Sequence, residues 1–124
     1  MGQSLTGLRV LVVEDEMLVS MLVEDMLADF GCAVVGPAPD FDRALDLANS
    51  ADIDAALLDV NVAGQAVFPV ADALKARGVP YAFASGYGQA GLSEEHQDAP
   101  VLQKPFRQAD LERTLSGLFD RDAA

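Results

Sequence analysis

The stretch RVLVVEDEM, residues 9–17, decides how this chain folds. Its aliphatic residues are continuous rather than alternating with polar ones, which describes a strand covered on both faces. Glu14, Asp15 and Glu16 follow at once, so the strand delivers three carboxylates to one point in space. Like charges at close range repel, and burial makes ionisation harder still. Something must compensate them.

Working outward, four more short apolar runs appear: AVVG at 33–36, DAALLD at 54–59, YAFAS at 81–85 and PVLQK at 100–104. Helical patterns separate them. Val19, Leu22, Val23, Met26, Leu27 and Phe30 recur at helical spacing opposite Ser20, Glu24, Asp25 and Asp29, which predicts an amphipathic helix stopped at Gly31. A second helix starts at a capping Asp40 and buries Phe41, Ala44, Leu45 and Ala48. A third carries Val67, Val70, Ala71 and Leu74, accepts Pro69 near its first turn and ends at Gly78 before Pro80. The last, near 108–119, buries Leu111, Leu115 and Leu118. Residues 86–98, GYGQAGLSEEHQD, hold three glycines and little apolar periodicity, so the fourth helix is expected to be short or mobile.

Strands alternating with helices imply right-handed crossovers and an α/β fold, a doubly wound parallel sheet with helices on both faces. At 124 residues and 51% hydrophobic content, one compact domain spanning 1–124 is expected. The apolar runs are strand-length and the opening MGQSLTGL lacks a secretory stretch, so no membrane span and a cytoplasmic location are expected. Cys32 stands alone and reads as a small buried hydrophobe. Twenty acidic against eight basic residues give a formal charge of −12, which opposes contact with nucleic acid and favours cations and basic protein surfaces.

In open parallel sheets ligands gather beyond the carboxyl ends of the strands. Those ends carry Glu14 and Asp15 on the first strand, Asp59 on the third, Ser85 on the fourth and Lys104 on the fifth. Each has an ordinary reading as a helix cap, a turn residue or a solvated charge. All together at one edge, they read as a site. A divalent cation relieves the repulsion among the carboxylates, and Mg2+ suits because it binds through few carboxylates and keeps several waters. Carboxylates, a metal and an ammonium also suit receipt of a phosphoryl group, whose oxygen charge needs cations around it. Asp59, central among these groups, is the best nucleophile.

With Glu14-Asp15, Asp59, Ser85 and Lys104-Pro105 in this order and near these spacings, the chain resembles the receiver domains of two-component response regulators over about 8–119. DVNVAG, PVADAL and FASGYG further resemble a single-domain subgroup with a Phe-Ala-Thr-Gly-type fourth strand, linked to HWE-class histidine kinases. The resemblance implies a flavodoxin-like, five-stranded sheet of order 2-1-3-4-5. It also implies that Asp59 takes a phosphoryl group from a histidine kinase or histidine phosphotransfer protein. Glu14, Asp15, Asp59 and the backbone carbonyl of Asn61 would then hold Mg2+, with Ser85 and Lys104 on phosphoryl oxygens. A cis bond before Pro105 is expected on the same ground. No enzyme activity is implied beyond self-phosphorylation and slow self-dephosphorylation, and the output, an unknown downstream protein, is not written in the chain.

Two features depart from the family. Val101 stands three residues before Lys104, where many receivers carry a switching Tyr or Phe, and Ala63-Gly64 replaces the usual Pro and Gly after the phosphorylated aspartate. The signal is therefore expected to pass through 86–98, with Tyr87 reporting on Ser85. His96, without a second His or Cys nearby, reads as an exposed and inert residue. No output domain is expected after DRDAA. An aspartyl-nucleophile phosphatase is disfavoured, because EDE stands where such enzymes place D-x-D and no cap domain is present. A flavodoxin-like cofactor binder is disfavoured too, because EDEM would repel a phosphate. A degenerate receiver acting only as an interaction module would not need all of these acidic-pocket residues.

Overall fold

The computed structural model describes residues 5–86, 92, 96 and 99–123, with side chains as far as Leu118. Its elements run β1 (Arg9–Val13), α1 (Met17–Asp29), β2 (Ala33–Ala38), α2 (Phe41–Ser50), β3 (Ala55–Asp59), β4 (Asn61–Val62), β5 (Gln65–Ala66), α3 (Phe68–Ala76), β6 (Tyr81–Ser85), β7 (Val101–Gln103) and α4 (Gln108–Ala123). Five strands form one sheet in the order β2-β1-β3-β6-β7, and every pairing within it is parallel. With the small β4-β5 hairpin set aside, this is the expected order 2-1-3-4-5.

Alternation along each strand sorts the core into two halves. Leu11, Val13, Ala56, Leu58 and Phe83 face α2 and α3, meeting Ala44, Ala48, Val70, Ala71 and Leu74. Val10, Val12, Ala55, Leu57, Ala82 and Ala84 face α1 and α4, meeting Val23, Leu27, Leu111, Leu115 and Leu118. Both faces of β1, β3 and β6 are thus covered, which is why their sequences are continuous apolar runs. Asp40 caps α2 as expected, its Oδ1 accepting from the Arg43 backbone N–H at 2.8 Å. At Gly36, in β2, φ is +94°, and a Cβ there would meet the Ala38 nitrogen at 2.8 Å, so only glycine fits. The Gly36–Pro37 and Lys104–Pro105 peptides are both cis, the second as expected.

Helix α1 corrects the sequence reading at two positions. Ser20, placed on the polar side, is buried with Val23 and Leu27, and its hydroxyl donates to the Met17 carbonyl at 3.0 Å. Leu22, placed on the core side, is exposed together with Met17, Leu18 and Met21. Apolar residues occupy nearly every side of this helix, so periodicity alone leaves its rotation open, and a small serine satisfied by its own helix is cheap to bury. Residues 86–98, where a short or mobile fourth helix was expected, lie outside the described residues apart from Gly86, Leu92 and His96. No helix among the described residues is long and apolar enough to cross a membrane.

Candidate functional site

Parallel pairing brings the ends of β1, β3, β6 and β7 to one edge. Asp59 pairs in register with Ala84, and Ser85 with Gln103, so Asp59, Ser85 and Lys104 end adjacent strands. The Lys104 backbone N–H continues the ladder by donating to the Ser85 carbonyl at 2.9 Å. Glu14 follows β1 directly, and its backbone N–H donates to the Ala38 carbonyl at 3.1 Å.

The side chains converge as expected. Carboxylate oxygens of Glu14, Asp15 and Asp59 all lie within 4.8 Å of one another. The Lys104 ammonium donates to Glu14 Oε1 at 2.8 Å and lies 3.5 Å from Asp59 Oδ1. Three carboxylates thus face one ammonium, and this partial neutralisation lets Glu14 sit at only 5% exposure. The other Glu14 oxygen accepts from the Glu16 backbone N–H at 3.2 Å.

Electrostatics follow from this imbalance. Burial first, and then the negative charge of Glu14, push the Asp59 carboxyl up to about 6, against an opposite pull from Lys104. For Lys104, burial works to lower the pKa but is outweighed by its bond to Glu14 and the charges of Asp59 and Glu14, so the ammonium is held above its ordinary range. A hard cation placed among these oxygens would remove the repulsion that burial intensifies, and an all-oxygen donor set fits Mg2+. The observed donors therefore fit the expected ion.

Asp15 is exposed and is fixed from a side that the sequence did not reveal. Its Oδ2 accepts from the Ala63 backbone N–H at 2.9 Å. Ala63 and Gly64 both have positive φ, 50° and 86°, and close the two-residue turn of the β4-β5 hairpin. The Asn61 side chain accepts from the Gly64 backbone N–H at 3.1 Å and holds that turn. Strands of two residues have no periodicity to read, so this support was invisible in the sequence. Its one signal was Ala63-Gly64 standing in place of the family's usual loop residues. Ser85 is buried at the edge, whereas Asn61 is exposed two residues beyond Asp59.

His96 is a second correction. It is buried rather than exposed, its Nε2 lies 3.0 Å from Asp72 Oδ1, and its ring stacks on Phe68 at 4.8 Å. Distant packing partners in α3 cover it, and a polar local sequence cannot report them. Tyr87 lies outside the described residues. Cys32 is half-buried, with its thiol donating to the Leu5 carbonyl at 3.3 Å, and burial pushes that thiol's pKa up.

Known proteins match nearly the whole of this chain. Residues 10–116 match the model of the response regulator receiver domain. The transcriptional regulatory protein PdtaR of Mycobacterium tuberculosis is 32% identical over 107 residues, 83% of this chain but 52% of that protein. The chain thus spans about half the length of that curated relative. The solution structure of SdrG from Sphingomonas melonis Fr1 superposes with a TM-score of 0.81 at 39% identity, covering 94% of this chain and 98% of SdrG. The receiver domain of the sensor histidine kinase PA1611 from Pseudomonas aeruginosa shares the fold (TM-score 0.75, 24% identity, 93% and 99% covered), and that structure has a magnesium ion coordinated in its active-site cleft.

Proposed function

Since this chain belongs to the response regulator receiver family, we propose that it accepts a phosphoryl group on Asp59 from a histidine kinase or histidine phosphotransfer protein, and that this modification changes its binding to a downstream protein. The observation that carries the proposal is the convergence of three carboxylates within 4.8 Å beside an ammonium that already reaches Glu14 and Asp59. Similarity to SdrG, at 39% identity over nearly the whole of both chains, supports the receiver reading.

Glu14, Asp15, Asp59 and the backbone carbonyl of Asn61 would hold Mg2+, which when bound supplies positive charge to the phosphoryl oxygens. An Asp59 oxygen attacks the phosphorus of a phosphohistidine. The new O–P bond forms as the P–N bond breaks, and the imidazole nitrogen leaves with the electron pair. With its pKa at about 6, Asp59 is mostly ionised at neutral pH and ready to attack. Lys104, bonded to Glu14 at 2.8 Å, needs only a small displacement to pair with a phosphoryl oxygen near Asp59. The Ser85 hydroxyl donates to a second oxygen. Attack of water on phosphorus later regenerates the carboxylate and releases inorganic phosphate. The domain is thus a signalling device whose chemistry acts on itself.

A protein donor fits the surface beside the site. Met17, Leu18, Met21 and Leu22 are exposed together on the first turns of α1, directly after the acidic residues 14–16. Clustered exposed apolar residues of this kind mark interaction surfaces.

Intact-mass measurement after incubation with Mg2+ and a small phosphodonor tests the proposal. One added phosphoryl mass is expected in the wild type, and none in Asp59→Asn or in chelator. Labelling that persists in Asp59→Asn removes Asp59 from its role.

A further inference from the structure

Four rings collect on one face of β6. Tyr81 and Phe83 lie 5.5 Å apart, Phe83 and Phe68 5.7 Å, Phe68 and His96 4.8 Å, and Phe83 and His96 5.8 Å. Alternation puts Tyr81, Phe83 and Ser85 on the same side of the strand. The ring cluster therefore underlies the hydroxyl at the site. Val101, the register partner of Phe83, brings a branched aliphatic side chain to this core and no ring. An aromatic contact to Phe83 comes instead from His96.

His96 is held through both its ring and its backbone. A carboxylate only accepts hydrogen bonds, so Nε2 carries the hydrogen and donates to Asp72 Oδ1 at 3.0 Å. Asp72 belongs to α3, whose first residue is the stacking partner Phe68. The His96 carbonyl accepts from the Ala99 backbone N–H at 3.1 Å, just before β7. One residue thus joins α3, the face of β6 beneath Ser85 and the approach to β7.

We propose that His96 is a positioning residue for phosphoryl acceptance: stacked on Phe68 and bonded to Asp72, it holds β6 and Ser85 in the unphosphorylated arrangement and is displaced when Ser85 closes on the phosphoryl group. The inference rests on the receiver reading and goes beyond it by naming the contact that senses the site. Coupling of this kind is reciprocal, so loading the site loosens the His96 clasp, and breaking the clasp makes loading easier.

Beryllofluoride with Mg2+, a mimic of the phosphoryl group, provides the test. His96 is the sole histidine of the chain, so an imidazole-labelled sample gives one assigned signal. In wild type that signal is expected to shift on loading. His96→Phe keeps a ring against Phe68 and Phe83 but loses the bond to Asp72, and Asp72→Asn keeps the bulk while weakening the acceptor. Both variants are expected to bind beryllofluoride about threefold or more tightly than wild type. A merely structural role would leave binding unchanged or weaken it. An unmoved imidazole signal in protein whose fluorine spectrum shows bound beryllofluoride overturns the inference and leaves the receiver reading intact. Affinities equal to or weaker than wild type in both variants overturn it as well. No bound fluorine signal in wild type defeats the receiver reading, and this inference with it.

Discussion

Replacing Asp59 by Asn should make the metal-free protein more stable, and the size of the gain follows from the pocket. A free aspartate titrates near 3.9, whereas Asp59 is pushed up to about 6 by burial and by Glu14. The folded state therefore holds this proton more tightly than the unfolded chain does. That proton-linked stabilisation is fully present below about pH 4, declines as pH rises through about 6, and is gone above it. A rise of this size corresponds to at most about 3 kcal/mol of penalty for the ionised side chain at pH 7.5, and solvent at the partly exposed carboxylate screens part of it. The pull of Lys104 at 3.5 Å is already contained in that figure, so Asn escapes the whole remaining penalty, and with the screening a net gain of about 2 kcal/mol is expected. Urea unfolding in chelator at pH 7.5 measures it. At pH 4 the gain should shrink below about 1 kcal/mol. Adding Mg2+ at about ten times its dissociation constant should stabilise wild type by about 1.4 kcal/mol and the variant by much less. An Asn variant no more stable than wild type at pH 7.5, or a gap that ignores pH, would refute the claim that repulsion and burial are stored at Asp59.

Other substitutions probe the same design from different sides. Lys104→Met strips a buried carboxylate of its ammonium, so a loss of about 3 kcal/mol is expected at pH 7.5 in thermal or urea unfolding, partly restored by acid or by Mg2+. A loss insensitive to both would mean that Lys104 acts through packing alone. Gly36→Ala meets backbone at Ala38 and Val12 as well as an unfavourable positive φ, and should cost at least about 2 kcal/mol. An unfolding midpoint unchanged from wild type would contradict the close approach at β2. Leu18→Lys, at an exposed position, should alter stability by less than about 0.5 kcal/mol and slow transfer from a protein phosphodonor while sparing a small one. Equal slowing with both donors would detach the α1 surface from docking.

Much of this architecture was legible because its strands are buried on both faces. RVLVV, AALLD and YAFAS are apolar through their centres, which admits a central parallel strand and little else, and the polar residue at the end of each run then falls at a common edge. Convergence of Glu14, Asp15, Asp59 and Lys104 followed from that geometry. What escaped depended on packing between elements distant in sequence. Ser20 and Leu22 exchanged places because α1 is apolar on most sides, leaving tertiary contacts to fix its rotation. The β4-β5 hairpin that holds Asp15 is built from backbone conformation, with two positive-φ residues and strands too short to alternate. His96 lies in a polar run, yet α3 brings Phe68 and Asp72 to it from 28 and 24 residues away. Local hydrophobicity carries no trace of such a contact.

The acidic edge, on this account, delivers a phosphoryl group to one particular carboxylate, and the bond it forms can be trapped. Borohydride reduction of the protein after phosphodonor treatment in Mg2+ cleaves an acyl phosphate to an alcohol, and peptide mass mapping then locates it. Homoserine at position 59, dependent on Mg2+, is the expected result. Reduction found instead at Asp15 or Glu14, or labelling at position 59 that proceeds equally well in chelator, would contradict the account.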